Sequence, residues 1–299
     1  MPDNDDSREQ RRGGFVPYAL LAPGVIWLVL FFLVPLVTLA RTSLSIKEGR
    51  FDFEPSFTWE WSNYSNAFGD YTHQLTRSFV YAGIATILCI AIGYPLAYVI
   101  AVRGGRWRNV LLGLVVVPFF TSFLIRTMAW QTVLSDRGPI LSLADSFGLI
   151  GLLDAIGITK DGRLLSTDIA VIGGLTYNFL PFMILPIYVS IEKIDLRLTD
   201  AAKDLYANGF QAFRRVVLPM TLPGVFAGTL LTFIPAAGDF VNARFLGGPN
   251  QTMIGTVVQD RFLVQLDYPT AAALSLLLMA IITVGVLVYA RLLGTDDLF

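Results

Sequence analysis

Six runs of the chain are predominantly apolar, and each is at or beyond the length of about 20 residues that an α-helix needs to cross a bilayer. They are Phe15–Ala40, Arg77–Ala101, Asn109–Leu134, Asp168–Ser190, Val216–Asp239 and Thr270–Leu293. In lipid every backbone polar group must be satisfied inside the protein, so runs of this length fold as helices. The pattern predicts an all-α polytopic membrane protein with six transmembrane helices. The composition agrees, with 54% hydrophobic and 15% charged residues and a mean hydropathy of +0.61. The first run is too long for a signal-peptide core and lacks an Ala-x-Ala cleavage site, so it reads as a retained helix. Pro23 and Pro35 mark kinks or ends within it.

Basic residues in the short connections set the orientation. Arg8, Arg11 and Arg12 lie in the polar tail of residues 1–14. Arg103, Arg106 and Arg108 follow the second run, and Lys193, Arg197, Lys203, Arg214 and Arg215 follow the fourth. These mark the cytoplasmic face, with both termini on it and residues 294–299 as a short cytoplasmic end. The opposite connections are longer. Residues 42–75 carry Phe51, Phe53, Phe57, Trp59, Trp61, Tyr64, Phe68 and Tyr71. They are expected to form an extracytoplasmic loop whose aromatics bury into a cap or sit among headgroups; the other reading is a surface that receives an external protein. Residues 139–153 suit an interfacial helix too short to cross. Residues 242–269 suit a turn at Gly247-Gly248-Pro249 followed by an amphipathic segment.

Several functions are excluded. A formal net charge of −1 gives no reason to expect nucleic acid as a partner. Cys89 is the single cysteine and His73 the single histidine, so neither an intrachain disulfide nor a histidine cluster for a metal can form. The chain has no Gly-x-x-x-x-Gly-Lys-Ser/Thr loop and therefore no such nucleotide-phosphate site of its own.

The most distinctive connection is 191–219. Asp200 to Tyr206 reads as a short helix, Asn208-Gly209 as a turn, and Gln211 to Leu218 as a second helix running into the membrane. Ala201 and Ala202 leave the first helix shallow enough for close approach. Phe210, Phe213, Val216 and Val217 form an apolar stripe on the second. The segment resembles the EAA loop of ABC importer permeases. Asp200-Ala201-Ala202 stands at its opening, Val216 at the Ile position and Leu218-Pro219 at the close, with Pro223-Gly224 beyond. Asp200 replaces the family's Glu, and Tyr206 stands where the family has Gly. A tyrosine adopts positive φ poorly, so the turn is expected to shift to Asn208-Gly209 or to be built otherwise. The resemblance implies that Asp200, Ala201, Ala202, Leu205, Tyr206, Asn208, Gly209, Leu218 and Pro219 dock on an ATP-hydrolysing subunit. Pro223 and Gly224 would then be structural or gating positions.

Polar residues inside apolar runs are functional suspects, because each costs free energy in lipid. Arg126 has two readings: it snorkels to the headgroups, or it pairs across the bundle with Asp239 or Asp136. Asp239 caps a helix end, pairs with Arg126, or offers a negative charge to a cation on a transport path. Tyr177-Asn178 with Pro181 and Pro186 suggests a broken, partly polar fourth helix lining a cavity. Asp239, Phe240, Trp130, Tyr177 and Asn178 are the path residues, with Arg126 and Pro181 structural or gating.

Ser122-x-x-x-Arg126-Thr-x-Ala-Trp130, Tyr177-x-x-Leu-Pro-Phe-Met-Ile-Leu-Pro186, Gly238-Asp-Phe-Val and Leu246-Gly-Gly-Pro249 with Met253-Ile-Gly255 resemble the first permease subunit of spermidine/putrescine-type ABC importers. The resemblance implies a type I importer permease of the MetI-like fold, with a five-helix core over residues 76–293 and the first helix (15–41) wrapped on a partner. It implies a polyamine cargo and a set of partners: a second homologous permease, a dimer of ATP-binding subunits and an extracytoplasmic solute-binding protein in a bacterial inner membrane. ATP and Mg would be bound by the partner, and this chain would hold no cofactor and perform no catalysis. Permeases of this branch also carry other solutes, such as iron, thiamine or anions. An ion-driven secondary transporter is the rival class, but no clear internal repeat is visible and Asp239 is the only embedded acid.

Overall fold

The computed structural model describes residues 16–292 apart from 48, 50–54, 156 and 196, so the expected tails at 1–14 and 294–299 lie outside the described residues. Helix α1 covers 16–43 without a stop. Its Pro23 lies in the first part, and Pro35 opens the part after a π-helical turn at Val29–Leu33. A two-residue ribbon follows, β1 (Ser45–Ile46) antiparallel to β2 (Ser56–Phe57). Helix α2 (Ser62–Arg103) then runs back. It begins well before the apolar run that announces it, so much of the expected loop at 42–75 is helix, kinked at Tyr71 (φ −116°, ψ 16°). Asn63 Nδ2 donates to the carbonyls of Ser43 and Ser45, both at 2.9 Å, which extends the helix with polar residues.

The third apolar run is not one straight helix. Helices α3 (Gly105–Phe120) and α4 (Phe123–Ser146, including its continuation past residue 134) meet at an angle of 96°. Pro118 removes a backbone donor and tightens Val117–Phe120 into a 3₁₀ turn. Thr121 and Ser122 then take extended conformations, with ψ of 139° and 137°. The single span expected from Asn109 to Leu134 is therefore a bent pair. Two short helices follow, the Pro139–Ser146 part of α4 and α5 (Ile150–Ala155), in the place expected for an interfacial helix.

Helix α6 (Asp168–Glu192) is unbroken, with Pro181 and Pro186 inside it, contrary to the expected interruption. Its start is capped by Thr167 Oγ1, which accepts from Ala170 N at 3.2 Å. After the short α7 (Arg197–Asp204), α8 (Gly209–Ala237) crosses, and α9 (Val241–Leu246) and α10 (Ile254–Gln259, extended by a π-helical turn to Val264) fold across its end. Helix α11 (Tyr268–Leu292) closes the described chain. Among the described residues five helices are long and apolar enough to cross a membrane, and six spans result if the bent pair counts as one.

The core is the packing of α2, α6 and α8. At the end near the basic connections, Cys89, Tyr94, Ala97, Met183, Ile184, Ile187 and Tyr188 pack together. Towards the other end, Ala82, Ala85, Val171, Leu175, Ala236, Ala237, Leu246 and Met253 form a second cluster that seats α9 and the start of α10. Lipid is as apolar as Leu, so close backbone approach rather than water exclusion holds such helices together. Gly224 shows this: a methyl there would lie 2.6 Å from the Pro186 carbonyl. Helix α1 packs on α11 chiefly by its Val34–Ser43 part. Trp27, Phe31 and Phe32, which precede that part, are exposed.

A candidate coupling loop and a candidate solute path

The loop between α6 and α8 is built by local hydrogen bonding. Asp195 Oδ1 accepts from the Arg197 amide at 3.0 Å at the start of α7, and Lys203 Nζ donates to Asp200 Oδ1 at 2.9 Å. That contact raises the Lys203 pKa, but the pair is well exposed and adds little to stability. The helix ends in a Schellman motif: the Ala207 amide donates to the Ala202 carbonyl at 3.0 Å and the Tyr206 amide to the Lys203 carbonyl at 2.9 Å. The left-handed residue this motif requires is Tyr206, at φ +65°. The turn therefore does not shift. Tyr206 adopts the conformation of the glycine it replaces, at a cost of about 1–2 kcal/mol. Asn208-Gly209 is instead the start of α8: Asn208 Oδ1 accepts from Gln211 N at 2.8 Å, and Gln211 Oε1 accepts from Asn208 N at 3.0 Å.

Leu205, Tyr206 and Phe210 are 82%, 98% and 70% exposed. Phe210 thus leaves the expected stripe. Phe213 keeps it, edge-on to Tyr94 and Tyr98 at 5.6 and 5.9 Å, and Val217 is buried. Asp200 and Ala201 are exposed, Ala202 and Leu218 half-buried, and Pro219 exposed. Thr221 Oγ1 and the Tyr94 hydroxyl hydrogen-bond at 2.7 Å. The loop is thereby tied rigidly to α2 through the first turns of α8, with Pro223 and Gly224 in the next turn against α6.

Towards the far end a chain of buried polar side chains links three elements. Asp239 Oδ1 accepts from the Asn242 amide at 2.7 Å, and its Oδ2 accepts from Asn242 Nδ2 at 3.2 Å. Asn178 Nδ2 donates to Asn242 Oδ1 at 3.0 Å and to Thr127 Oγ1 at 3.3 Å. Asp239 therefore serves the start of α9, the helix after the one it was expected to cap. Asn242 and Thr127 were not singled out from sequence; the Asp-x-x-Asn spacing at a helix start is the signal that points to Asn242.

Arg126 is buried, not snorkelling, and it pairs with neither Asp239 nor Asp136; Asp136 meets Arg163 at 3.1 Å. Its guanidinium lies 5.6 Å from the Phe123 ring centre, and its Nε and Nη1 have no hydrogen-bond partner among the described residues. Trp130 and Tyr177 meet edge to face at 5.3 Å. Phe240 is apart from them and lines a cavity of about 420 Å³ with Gly238, Gln259, Phe262 and Leu278. Asn178 is thus joined to Asp239 through Asn242, whereas Phe240 opens on a separate cavity. Pro181 is buried within α6.

A helical bundle with a structured loop between its fourth and fifth spans and a polar chain at its far end has the form of an importer permease, and the family model agrees. Residues 93–293 match the family described as "Binding-protein-dependent transport system inner membrane component", and the chain belongs to it. It is 39% identical over 89% of its length to the "Spermidine/putrescine transport system permease protein PotB" of Haemophilus influenzae, of which 90% is covered. The protein of the same description from Escherichia coli is 38% identical over 89% of this chain and 93% of its own. Among solved structures, a chain of a bacterial ABC transporter involved in the import of the acidic polysaccharide alginate has the same fold, with a TM-score of 0.66, 18% identity and coverage of 93% and 95% of the two chains. The protein is accordingly an ABC importer permease, a multi-pass inner-membrane subunit of a transporter complex and not an enzyme.

Proposed function

We propose that this chain forms, with a second homologous permease, the path of an importer for polyamines such as spermidine and putrescine. A dimer of ATP-binding subunits drives it, and an extracytoplasmic binding protein loads it. The observation that carries the coupling half of this reading is the continuity of the loop with the core. A displacement of α7 reaches α2 through Phe213, Tyr94 and Thr221 without a flexible link. The motif positions Asp200 to Pro219 belong to that lever. ATP and Mg stay on the partner, and both termini lie in the cytoplasm with the basic connections. The exposed part of α1 before Val34 is the part that wraps on the second permease. The same lipid-facing helices rest in the bilayer, and nucleic acid has no role.

Polyamine cargo is supported by the relatives that share over a third of their residues with this chain. A flexible polycation suits carboxylate and aromatic faces, each cation–π contact being worth about 0.5–2 kcal/mol. Asp239, Trp130, Tyr177, Asn178 and Phe240 supply such groups, and a path must bind weakly to release. Uptake competition in the reconstituted complex tests the cargo: unlabelled spermidine and putrescine displace labelled spermidine, and iron, thiamine and oxyanions do not. Displacement by an oxyanion instead would favour the rival reading that the Arg126 Nε and Nη1, without a hydrogen-bond partner among the described residues, suggest. The Asp239→Asn variant keeps the cap on Asn242 N through its amide oxygen while removing the charge. It is expected to assemble normally and to lower the maximal uptake rate about tenfold, equivalent to about 1.4 kcal/mol. An unchanged rate at every cargo concentration would remove Asp239 from the path.

A further inference from the structure

We infer that Tyr206 is the anchor that selects this permease's ATP-binding partner, by inserting its ring into an apolar cleft of that subunit. The inference rests on the coupling reading above and adds to it a residue-level determinant. Three observations carry it. The backbone at Tyr206 is held at φ +65° by a Schellman closure that glycine would satisfy without strain. The ring contributes almost nothing to this chain's own packing, being 98% exposed. The side of the loop from which it projects is nevertheless set, because the hydrogen bonds from Tyr206 and Ala207 back into α7 hold the backbone and so the direction of the Cα–Cβ bond.

A strained residue whose side chain stabilises nothing inside its own fold points to a function outside it. The ring does not stand alone. Leu205 precedes it at 82% exposure and Phe210 follows at 70%, so three large apolar side chains project from a segment otherwise rich in charge, with Arg197, Asp200, Lys203 and Asp204 on α7. An aromatic side chain projecting into water from a fixed backbone and flanked by apolar neighbours is the composition of an interface hot spot. A backbone already ordered lowers the entropy lost on docking. The cleft that receives it is therefore apolar and deep enough for one ring. A permease with glycine at this position would leave that cleft unfilled, and an ATP-binding subunit lacking the cleft would be blocked by the ring.

The test measures binding of the purified ATP-binding subunit to the two-permease complex in nanodiscs, for wild type, Tyr206→Gly and Tyr206→Phe. Tyr206→Gly is expected to weaken binding about thirtyfold and to lower ATP-driven uptake in parallel. Its loop should gain protection from amide exchange, because the strain is relieved. Tyr206→Phe is expected to bind within about twofold of wild type. A Tyr206→Gly complex that binds as tightly as wild type overturns the inference, as does a Tyr206→Phe complex as weak as Tyr206→Gly. The bilayer surface is the competing occupant. Fluorescence of Tyr206→Trp, taken as the difference from wild type, should shift to the blue on adding the ATP-binding subunit to nanodiscs; a shift already present before the subunit is added overturns the inference. A wild-type complex that fails to bind the subunit at all would defeat the coupling reading itself, an outcome distinct from loss of the Tyr206 effect alone.

Discussion

Replacing Ala202 with tryptophan is expected to lower ATP-driven uptake about a hundredfold while leaving membrane insertion intact. Ala202 lies in α7, half-buried, beside the exposed Asp200 and Ala201. Tryptophan is tolerated in a helix, so α7 forms, and the Schellman closure uses only the Ala202 carbonyl. What changes is the shape of the surface: an indole in place of a methyl overfills a close-fitting contact at about 3 kcal/mol, which is about a hundredfold in binding. Asp200→Lys attacks the same surface by charge and also removes the partner of Lys203. Uptake and ATP hydrolysis measured together on the reconstituted complex decide the matter. The expected result is lost uptake with ATP hydrolysis no longer stimulated by the loaded binding protein. Wild-type uptake in both variants would mean that this face of α7 touches nothing.

The second large effect is expected at Gly255. A methyl there would lie 2.9 Å from the Asp239 carbonyl oxygen and closer still to that of Gly238. Both are backbone atoms at the junction of α8 and α9, and neither can swing aside as a side chain does. Gly255→Val therefore forces α10 away from the Asp239 turn, breaking the Asn242–Asn178 link that the turn supports. The cost is about 3 kcal/mol, a fall in Tm of about 6–12 °C for a chain of this size, together with loss of uptake. Gly255→Ala is expected to show a smaller fall. A thermal shift assay on the purified complex checks it; an unchanged Tm for the valine variant would show that the α10 junction is loosely packed.

The number and order of the spans were legible because a bilayer demands long apolar runs, and five of the six emerged as single helices. The bend at Thr121–Ser122 was not read, although Pro118 and two adjacent hydroxyl residues were present; an apolar window averages over three residues without noticing them. The reverse error occurred at Pro181. A proline removes one hydrogen bond, but the packed neighbours of α6 keep the helix continuous around it. Helix α2 began early because Asn63 binds the carbonyls of Ser43 and Ser45, a tertiary contact that no local pattern carries.

At the candidate site, the segment at 191–219 was visible as a motif, and its two helices lie close to where they were expected. Propensity argued against positive φ at Tyr206, and closure of the helix end overrode it, since two hydrogen bonds depend on that conformation. Asp239 and Asn178 were recognisable as polar intruders, but the residue that joins them, Asn242, was not, because its role depends on α6 and α9 meeting in space. Arg126 was expected either at the headgroups or in an ion pair and is in neither place. Its ring contact with Phe123, three positions earlier on the same helix turn, was the readable alternative.

The central claim is that solute movement through this chain is driven by a separate ATP-binding subunit acting on the loop at 191–219. Proteoliposomes containing the two permeases with or without that subunit, supplied with ATP on the loop side and with loaded binding protein on the other, test it through labelled spermidine uptake. The account predicts accumulation only when subunit and ATP are both present, and none across an imposed ion gradient alone. Accumulation by the permeases without the subunit would contradict it.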